Sequence, residues 1–156
     1  MTEHQQSGGQ TGADQGALDG AISCGFPYGG SLPAGRKTED GTLPLSYMMD
    51  EITSGSYANR TEKNVVDSDA TLIVSHGPLT GGSALTLKIA ERLGKPCMHI
   101  DLNLRNVAQA AAEVFAWVES WGVGVLNVAG PRASSDAEIY ACVNTIIVDL
   151  IRMMKR

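Results

Sequence analysis

The feature that most limits what this chain can fold into is a pattern it uses twice: a glycine-rich run placed directly before a helical stretch. Ser7-Gly-Gly-Gln-Thr-Gly-Ala-Asp14 leads into Ala13, Ala17, Leu18, Ala21 and Ile22, small and apolar residues at helical spacing, and His76-Gly-Pro-Leu-Thr-Gly-Gly-Ser83 leads into Leu85, Ile89 and Leu93. A glycine-rich turn that opens a helix converges backbone N–H groups and the positive end of the helix dipole on one spot, where a phosphate binds well. Gly8, Gly9 and Gly12 permit positive φ and close ligand approach, while Ser7, Gln10 and Thr11 supply side-chain hydrogen bonds. Gly77, Thr80, Gly81, Gly82 and Ser83 repeat the arrangement in the second run. Neither run is a Walker A loop, which needs Gly-Lys-Ser/Thr, or a GxGxxG fingerprint. The competing reading is that these glycines only make tight turns.

The order of elements places both runs. Helical spacing predicts helices over 13–24, 57–66, 83–93, 107–121 and 137–153, and short apolar, β-branched runs predict strands over 70–75, 97–101 and 123–128. A further short strand is expected near 26–31, followed by a Gly- and Pro-rich excursion too irregular for a helix. Strands that alternate with helices imply a parallel sheet covered on both faces. The expected fold class is therefore α/β: a Rossmann-like three-layer α/β/α domain over 1–156 with about five mainly parallel strands in the order 2-1-3-4-5. In that order the two glycine loops meet at the topological switch point, where open α/β sheets bind their ligands. The first strand is the weak element, because Thr2 to Ser7 reads Thr-Glu-His-Gln-Gln-Ser where a central strand ought to be apolar.

Composition narrows the function classes. A net charge of -5 disfavours a general nucleic-acid binder. No apolar run approaches the roughly 18 residues needed to span a bilayer, and the first thirty residues lack a basic start with an apolar stretch, so a cytoplasmic protein with no membrane partner is expected. Cys24, Cys97 and Cys142 form no CxxC pair, and His4, His76 and His99 fit no zinc spacing, so free buried thiols and no structural metal are expected. His76 either contacts a ligand or simply ends a strand. Trp117 and Trp121, four apart, point to core or subunit packing more than to a base-stacking platform.

Two further segments bring charge near the expected crevice: Pro33-Ala-Gly-Arg-Lys-Thr-Glu-Asp-Gly41 and Tyr57-Ala-Asn-Arg-Thr-Glu-Lys-Asn64. Arg36, Lys37 and Arg60 can supply positive charge for an anion or can be ordinary solvated surface charges; the glycine-rich setting favours Arg36 most.

Taken together, Ser7 to Asp14, Pro33 to Arg36 with Glu39 to Gly41, Arg60 to Asn64, Asp67 to Thr71 and Gly77 to Gly82 resemble the molybdenum carrier family over nearly the whole chain. That family belongs to the Rossmann-like SLOG group, which includes the lonely-guy (LOG) proteins, and is similar to algal proteins that bind molybdenum cofactor. The resemblance implies a phosphorylated small-molecule ligand with a fused heterocycle, either a molybdopterin-type cofactor or a nucleotide. It places the phosphate on Gly8 to Gly12 or on Thr80 to Ser83, with Arg36 as ionic partner and Arg60 as a weaker candidate. Asp14 is too acidic to face phosphate; it caps the loop or hydrogen-bonds a sugar or pterin. A homo-oligomer is expected from resemblance alone. The chain departs from the LOG enzymes in lacking a PGGxGTxxE motif: Gly81-Gly-Ser-Ala-Leu-Thr86 has no glutamate at the matching place.

No catalytic constellation is evident, so a carrier or sensor is favoured over a LOG-like nucleotide phosphoribohydrolase (N-glycosidase) acting through Asp14, Glu39 or Asp40. A scaffold built on Tyr47-Met-Met49 and the closing helix leaves both glycine runs unexplained.

Overall fold

The computed structural model describes residues 1–156 and contains a five-stranded parallel sheet with helices on both faces, the expected Rossmann-like α/β/α architecture. The sheet strands are β1 (His4–Gln6), β2 (Tyr28–Gly29), β3 (Ala70–Ser75), β4 (Cys97–Asp101) and β5 (Val125–Ala129). The helices are α1 (Ala13–Ser23), α2 (Tyr57–Val66), α3 (Gly81–Arg92), α4 (Val107–Trp121) and α5 (Ile139–Met154). Residues of α1, α4 and α5 share one large apolar cluster with Leu72, Val74, Leu126 and Val128, whereas α2 and α3 cover the opposite face with a small cluster of Val65, Ile89 and Ala90. No helix is long and apolar enough to cross a membrane.

The expected strand order 2-1-3-4-5 is corrected: the sheet runs 2-1-5-3-4, with β5 inserted between β1 and β3. Burial explains why. Val125, Leu126, Asn127 and Val128 are all buried, as both faces of a central strand require, whereas Cys97, Met98 and His99 on β4 are partly open, as befits an edge. Moving the last strand–helix unit to the front of the chain would make the order 3-2-1-4-5, that of the dinucleotide-binding Rossmann sheet without its sixth strand. The molecule is therefore a rotated version of that fold, and its switch point lies between β5 and β3.

The polar first strand is real. Gln5 and Gln6 are 0% and 3% exposed, and β1 pairs in parallel with β2 on one side and β5 on the other. Gln6 lies beside Asn127, which lies beside Thr71, so a polar row crosses the sheet on the side covered by α2 and α3. The row is satisfied internally: Gln6 Nε2 donates to the Asn64 carbonyl at 2.6 Å and Asn127 Nδ2 to Thr71 Oγ1 at 3.3 Å. Gln5 faces the apolar side, where its Oε1 is buried without a partner.

Between β2 and α2 the chain makes an excursion held by two-residue pairings, Ser31–Leu32 with Asp50–Glu51 and Lys37–Thr38 with Gly41–Thr42. Its buried Leu32 and Leu43 lie over the first glycine loop. The three cysteines are free and partly exposed, not buried as expected. On α4, Trp117 packs against the core and Trp121 is 62% exposed.

Candidate functional site

Three strand-to-helix loops converge at the carboxyl ends of β1, β3 and β5. The third, over residues 130–135, follows β5 and was not singled out from the sequence. It belongs to the site because it packs on the first loop. The Ala13 N–H donates to the Pro131 carbonyl at 3.1 Å, and the Ala133 N–H donates to Thr11 Oγ1 at 3.1 Å. Gly12 shows why the sequence needs glycine here: its φ is +80°, and a Cβ would fall 2.5 Å from the Pro131 oxygen.

Between these loops lies a cleft of about 300 Å³ lined by 18 residues, only two of them hydrophobic, so its surface suits a charged or polar ligand. Of the residues proposed from sequence, Gly8, Gln10, Asp14, Arg60, Thr80, Gly81, Gly82 and Ser83 line it together. Asn64, Asn127, Gly130, Arg132 and Ser135 join them unforeseen. The signal available was Gly130-Pro-Arg-Ala-Ser-Ser135 between an apolar run and a helix, the same punctuation that marked the other two loops.

The remaining residues of the proposed set support the loops instead of lining the cleft. Ser7 is fully buried and its hydroxyl donates to the Asp14 carbonyl at 3.0 Å. Gly9 has φ +74°, and a Cβ there would meet Leu32 at 2.4 Å, on the side of the excursion. Thr11 donates to Glu39, and Ser134 N–H reaches the same carboxylate at 3.0 Å. These bonds from Ser134 and Thr11 hold the Glu39 carboxyl below the usual range and leave it outside the cleft. Asp40 sits on an exposed turn, also outside. Gly77 is tied to β4 by its N–H to Asp101 Oδ1 at 2.8 Å.

Arg36, expected as the ionic partner, does not line this cleft. It is 7% exposed, and its guanidinium donates to the carbonyls of Leu43, Pro44 and Tyr47 at 3.2, 2.9 and 2.6 Å. The physical reason is local: Arg36 adopts φ +55°, which turns its side chain into the excursion, where three carbonyl oxygens need donors. It clamps residues 37–47 instead of facing a ligand.

The cations at the cleft are Arg60 and Arg132. Arg60 Nη1 lies 3.0 Å from Asp14 Oδ2, with the two side chains 12% and 8% exposed. Burial pushes the Asp14 carboxyl up, and Arg60 and the Gln10 N–H, at 3.2 Å, oppose that shift. Asp14 thus caps its loop and anchors Arg60, and a Cβ at Gly8 would fall 1.4 Å from Arg60 Nη1 and displace it. Lys37, Arg60 and Arg132 all stand over the Tyr57 ring, at 5.2, 5.7 and 5.6 Å from its centroid, giving a basic rim in a chain of net charge -5. On the opposite wall α3 begins at Gly81 after Thr80, which makes no side-chain cap bond, so the first N–H groups of that helix are uncommitted. No group of three or more His, Cys, Asp or Glu is placed to hold a metal ion.

Comparison with known proteins agrees with this rotated architecture. The chain is similar to a protein of Syntrophus aciditrophicus SB, whose crystal structure is described as that of a "Putative molybdenum carrier protein", with 49% identity, a TM-score of 0.94, and coverage of 96% of this chain and 95% of that one. No match was found among curated proteins. The family profile described as the circularly permutated YpsA SLOG family matches residues 6–151, spanning all three loops and every strand from β1 to β5 apart from the first residues of β1. With the sheet order, the three-loop cleft and this match in agreement, the chain belongs to the circularly permutated YpsA SLOG family.

Proposed function

We propose that this protein binds and holds a phosphorylated small molecule, a pterin-type cofactor or a nucleotide, as a carrier or sensor. The observation that carries the reading is the pairing, across one polar cleft, of an uncapped helix start at Thr80 to Ser83 with the arginines Arg60 and Arg132. A phosphate between them accepts from the first N–H groups of α3 and from the Ser83 hydroxyl, while the guanidiniums supply charge-assisted hydrogen bonds. The similar protein described as a molybdenum carrier supports a molybdenum-bearing cargo whose phosphate would dock in the same way.

Of the acidic residues considered for a hydrolytic role, Glu39 and Asp40 lie outside the cleft and Asp14 is committed to Arg60 and Gln10, which favours holding over hydrolysis. Native mass spectrometry of the protein as isolated should retain a mass matching a phosphorylated pterin or nucleotide. Gly82→Val should abolish that retention while the protein stays folded, because a Cβ at Gly82 meets nothing within 4 Å and the added methyls project into the open cleft. Retention unaffected by Gly82→Val would sink the reading, and steady release of free base from nucleoside monophosphates would replace it with hydrolysis.

A further inference from the structure

The groups left unanswered around the cleft fall into two sets. One is the start of α3 with Ser83. The other is a pair of buried donors. Gln10 lines the cleft and is 7% exposed; its Oε1 accepts the N–H groups of Thr11 and Glu39 at 3.1 and 2.9 Å, which fixes the amide orientation and leaves Nε2 without a partner. Arg60 Nε is also buried and unpaired. Buried polar groups are normally answered. The neighbouring acceptors are already used: Asp14 holds Arg60 Nη1 and the Gln10 N–H, and the Asn64 amide is bonded both ways to Ser31 at 2.8 and 3.1 Å. These donors call for acceptor atoms from a ligand.

The sheet holds the two sets apart. The loops that carry Gln10 and Ser83 leave β1 and β3, which flank β5, so their strands stand two sheet spacings, about 10 Å, from each other. One phosphoryl group with a hydrogen bond of about 2.9 Å on each side spans less than that; two joined through an oxygen span it. Charge points the same way. Lys37, Arg60 and Arg132 come from the excursion, α2 and the third loop, yet all stand within 5.7 Å of the Tyr57 centroid. Two carboxylates oppose them, Asp14 at 3.0 Å from Arg60 and Glu39 at 4.0 Å from Arg132, and none pairs with Lys37. Like charges held this close raise the free energy of the empty cleft, and an anion among them lowers it. With only two hydrophobic residues in the lining, the space between the two sets suits a charged linkage better than a ring.

Resting on the phosphate-binding reading above, we infer that the cleft holds two adjacent anion sites and that its ligand carries a diphosphate. One phosphoryl group takes the start of α3 and Ser83. The other takes Gln10 Nε2 and Arg60 Nε, with Lys37 and Arg132 at the rim. Gln10 is the residue that tells a diphosphate from a monophosphate.

Isothermal titration of the full chain in magnesium-free buffer with inorganic phosphate, pyrophosphate, AMP, ADP and adenosine 3′,5′-bisphosphate tests this. Pyrophosphate should bind about tenfold or more tightly than phosphate, and ADP than AMP by the same factor, because a further hydrogen bond to a charged acceptor is worth that much. Adenosine 3′,5′-bisphosphate, whose phosphates are not linked, should stay within about threefold of AMP, which separates the two-site geometry from total charge. Gln10→Glu keeps the oxygen that Thr11 and Glu39 need and puts a second oxygen where the unanswered donor stood, so it should cut ADP affinity about tenfold and AMP affinity far less. Lys37→Gln, at an exposed side chain, reads the same site without disturbing the packing and should cut ADP affinity about threefold with a smaller effect on AMP; it decides alone if Gln10→Glu fails to fold. Equal affinity for AMP and ADP or for phosphate and pyrophosphate, a bisphosphate as tight as ADP, or variant losses as large for AMP as for ADP overturn the inference and leave the phosphate site standing. Absence of binding by every compound, inorganic phosphate included, instead overturns the reading on which it rests.

Discussion

Replacing Arg60 with Met isolates the buried ion pair at the base of the cleft. Asp14 would keep the Gln10 N–H at 3.2 Å but lose the only cation in contact with it. Removing one partner of a buried pair costs about 3–5 kcal/mol, because the other charge stays buried. Two features reduce the figure. Arg60 also carries an unpaired buried Nε–H, whose removal returns about 1 kcal/mol, and its side chain is 12% exposed, so some solvent reaches the pair. The expected loss is about 3 kcal/mol, or roughly 6–12 °C in melting temperature for a domain of this size.

The loss should depend on pH in a defined direction. Burial raises the Asp14 carboxyl above its unfolded value, so its ionised form opposes folding: the cost is absent below the unfolded pKa and full above the folded one. Without Arg60 the folded pKa rises further. Arg60→Met should therefore be most destabilised near neutral pH and recover as the pH falls through the raised pKa, which denaturant unfolding at a series of pH values would follow. Adding Asp14→Asn should restore part of the loss. Gly8→Ala should reproduce the behaviour of Arg60→Met by displacing the guanidinium. A loss under about 1 kcal/mol, or one independent of pH and not relieved by Asp14→Asn, would refute the reasoning.

Three other outcomes follow from the packing. Gly12→Ala should cost several times more stability in chemical denaturation than Gly94→Ala, since both have positive φ but only Gly12 has backbone within 3 Å of the new Cβ. Arg36→Met should destabilise by about 2–3 kcal/mol through three orphaned carbonyls, yet leave ligand affinity in calorimetry nearly unchanged because the guanidinium lies outside the cleft. Gln5→Leu should be neutral or stabilising by up to about 1 kcal/mol in the same unfolding assay, since it replaces an unanswered Oε1 on the apolar face of the sheet.

Elements whose signals are local were legible in the chain. The periodicity of 57–66, 70–75, 97–101 and 107–121 matches the observed elements residue for residue, because in each case one face or both meet an apolar neighbour. Strand order was not legible, because no local pattern says that Val125–Ala129 pairs with both β1 and β3; the continuous burial of that run is a tertiary fact. Arg36, in its glycine-rich setting, looked the better anion partner and Arg60 the weaker one. What separated them was where the backbone aimed each side chain, towards three carbonyls in one case and towards Asp14 in the other. The polar Gln6 obscured β1 for a related reason: its neighbours Asn64 and Asn127 lie about 60 and 120 positions away along the chain.

The insertion of β5 at the centre of the sheet also has a consequence for how the molecule comes off the ribosome. Until residues 125–129 are synthesised, the only native sheet pairings open to the emerging chain are β2 with β1 and β3 with β4, which have no strand in common. The cleft does not exist in that state, for its third wall and the surface against which Gly12 packs are still unmade. Ligand capture must therefore wait until residues 125–135 have emerged, and the edges of β1 and β3 that β5 covers stay unpaired until then. A chaperone that shields strand edges should bind the ribosome-bound chain before β5 emerges and release it once α5 has docked on α1.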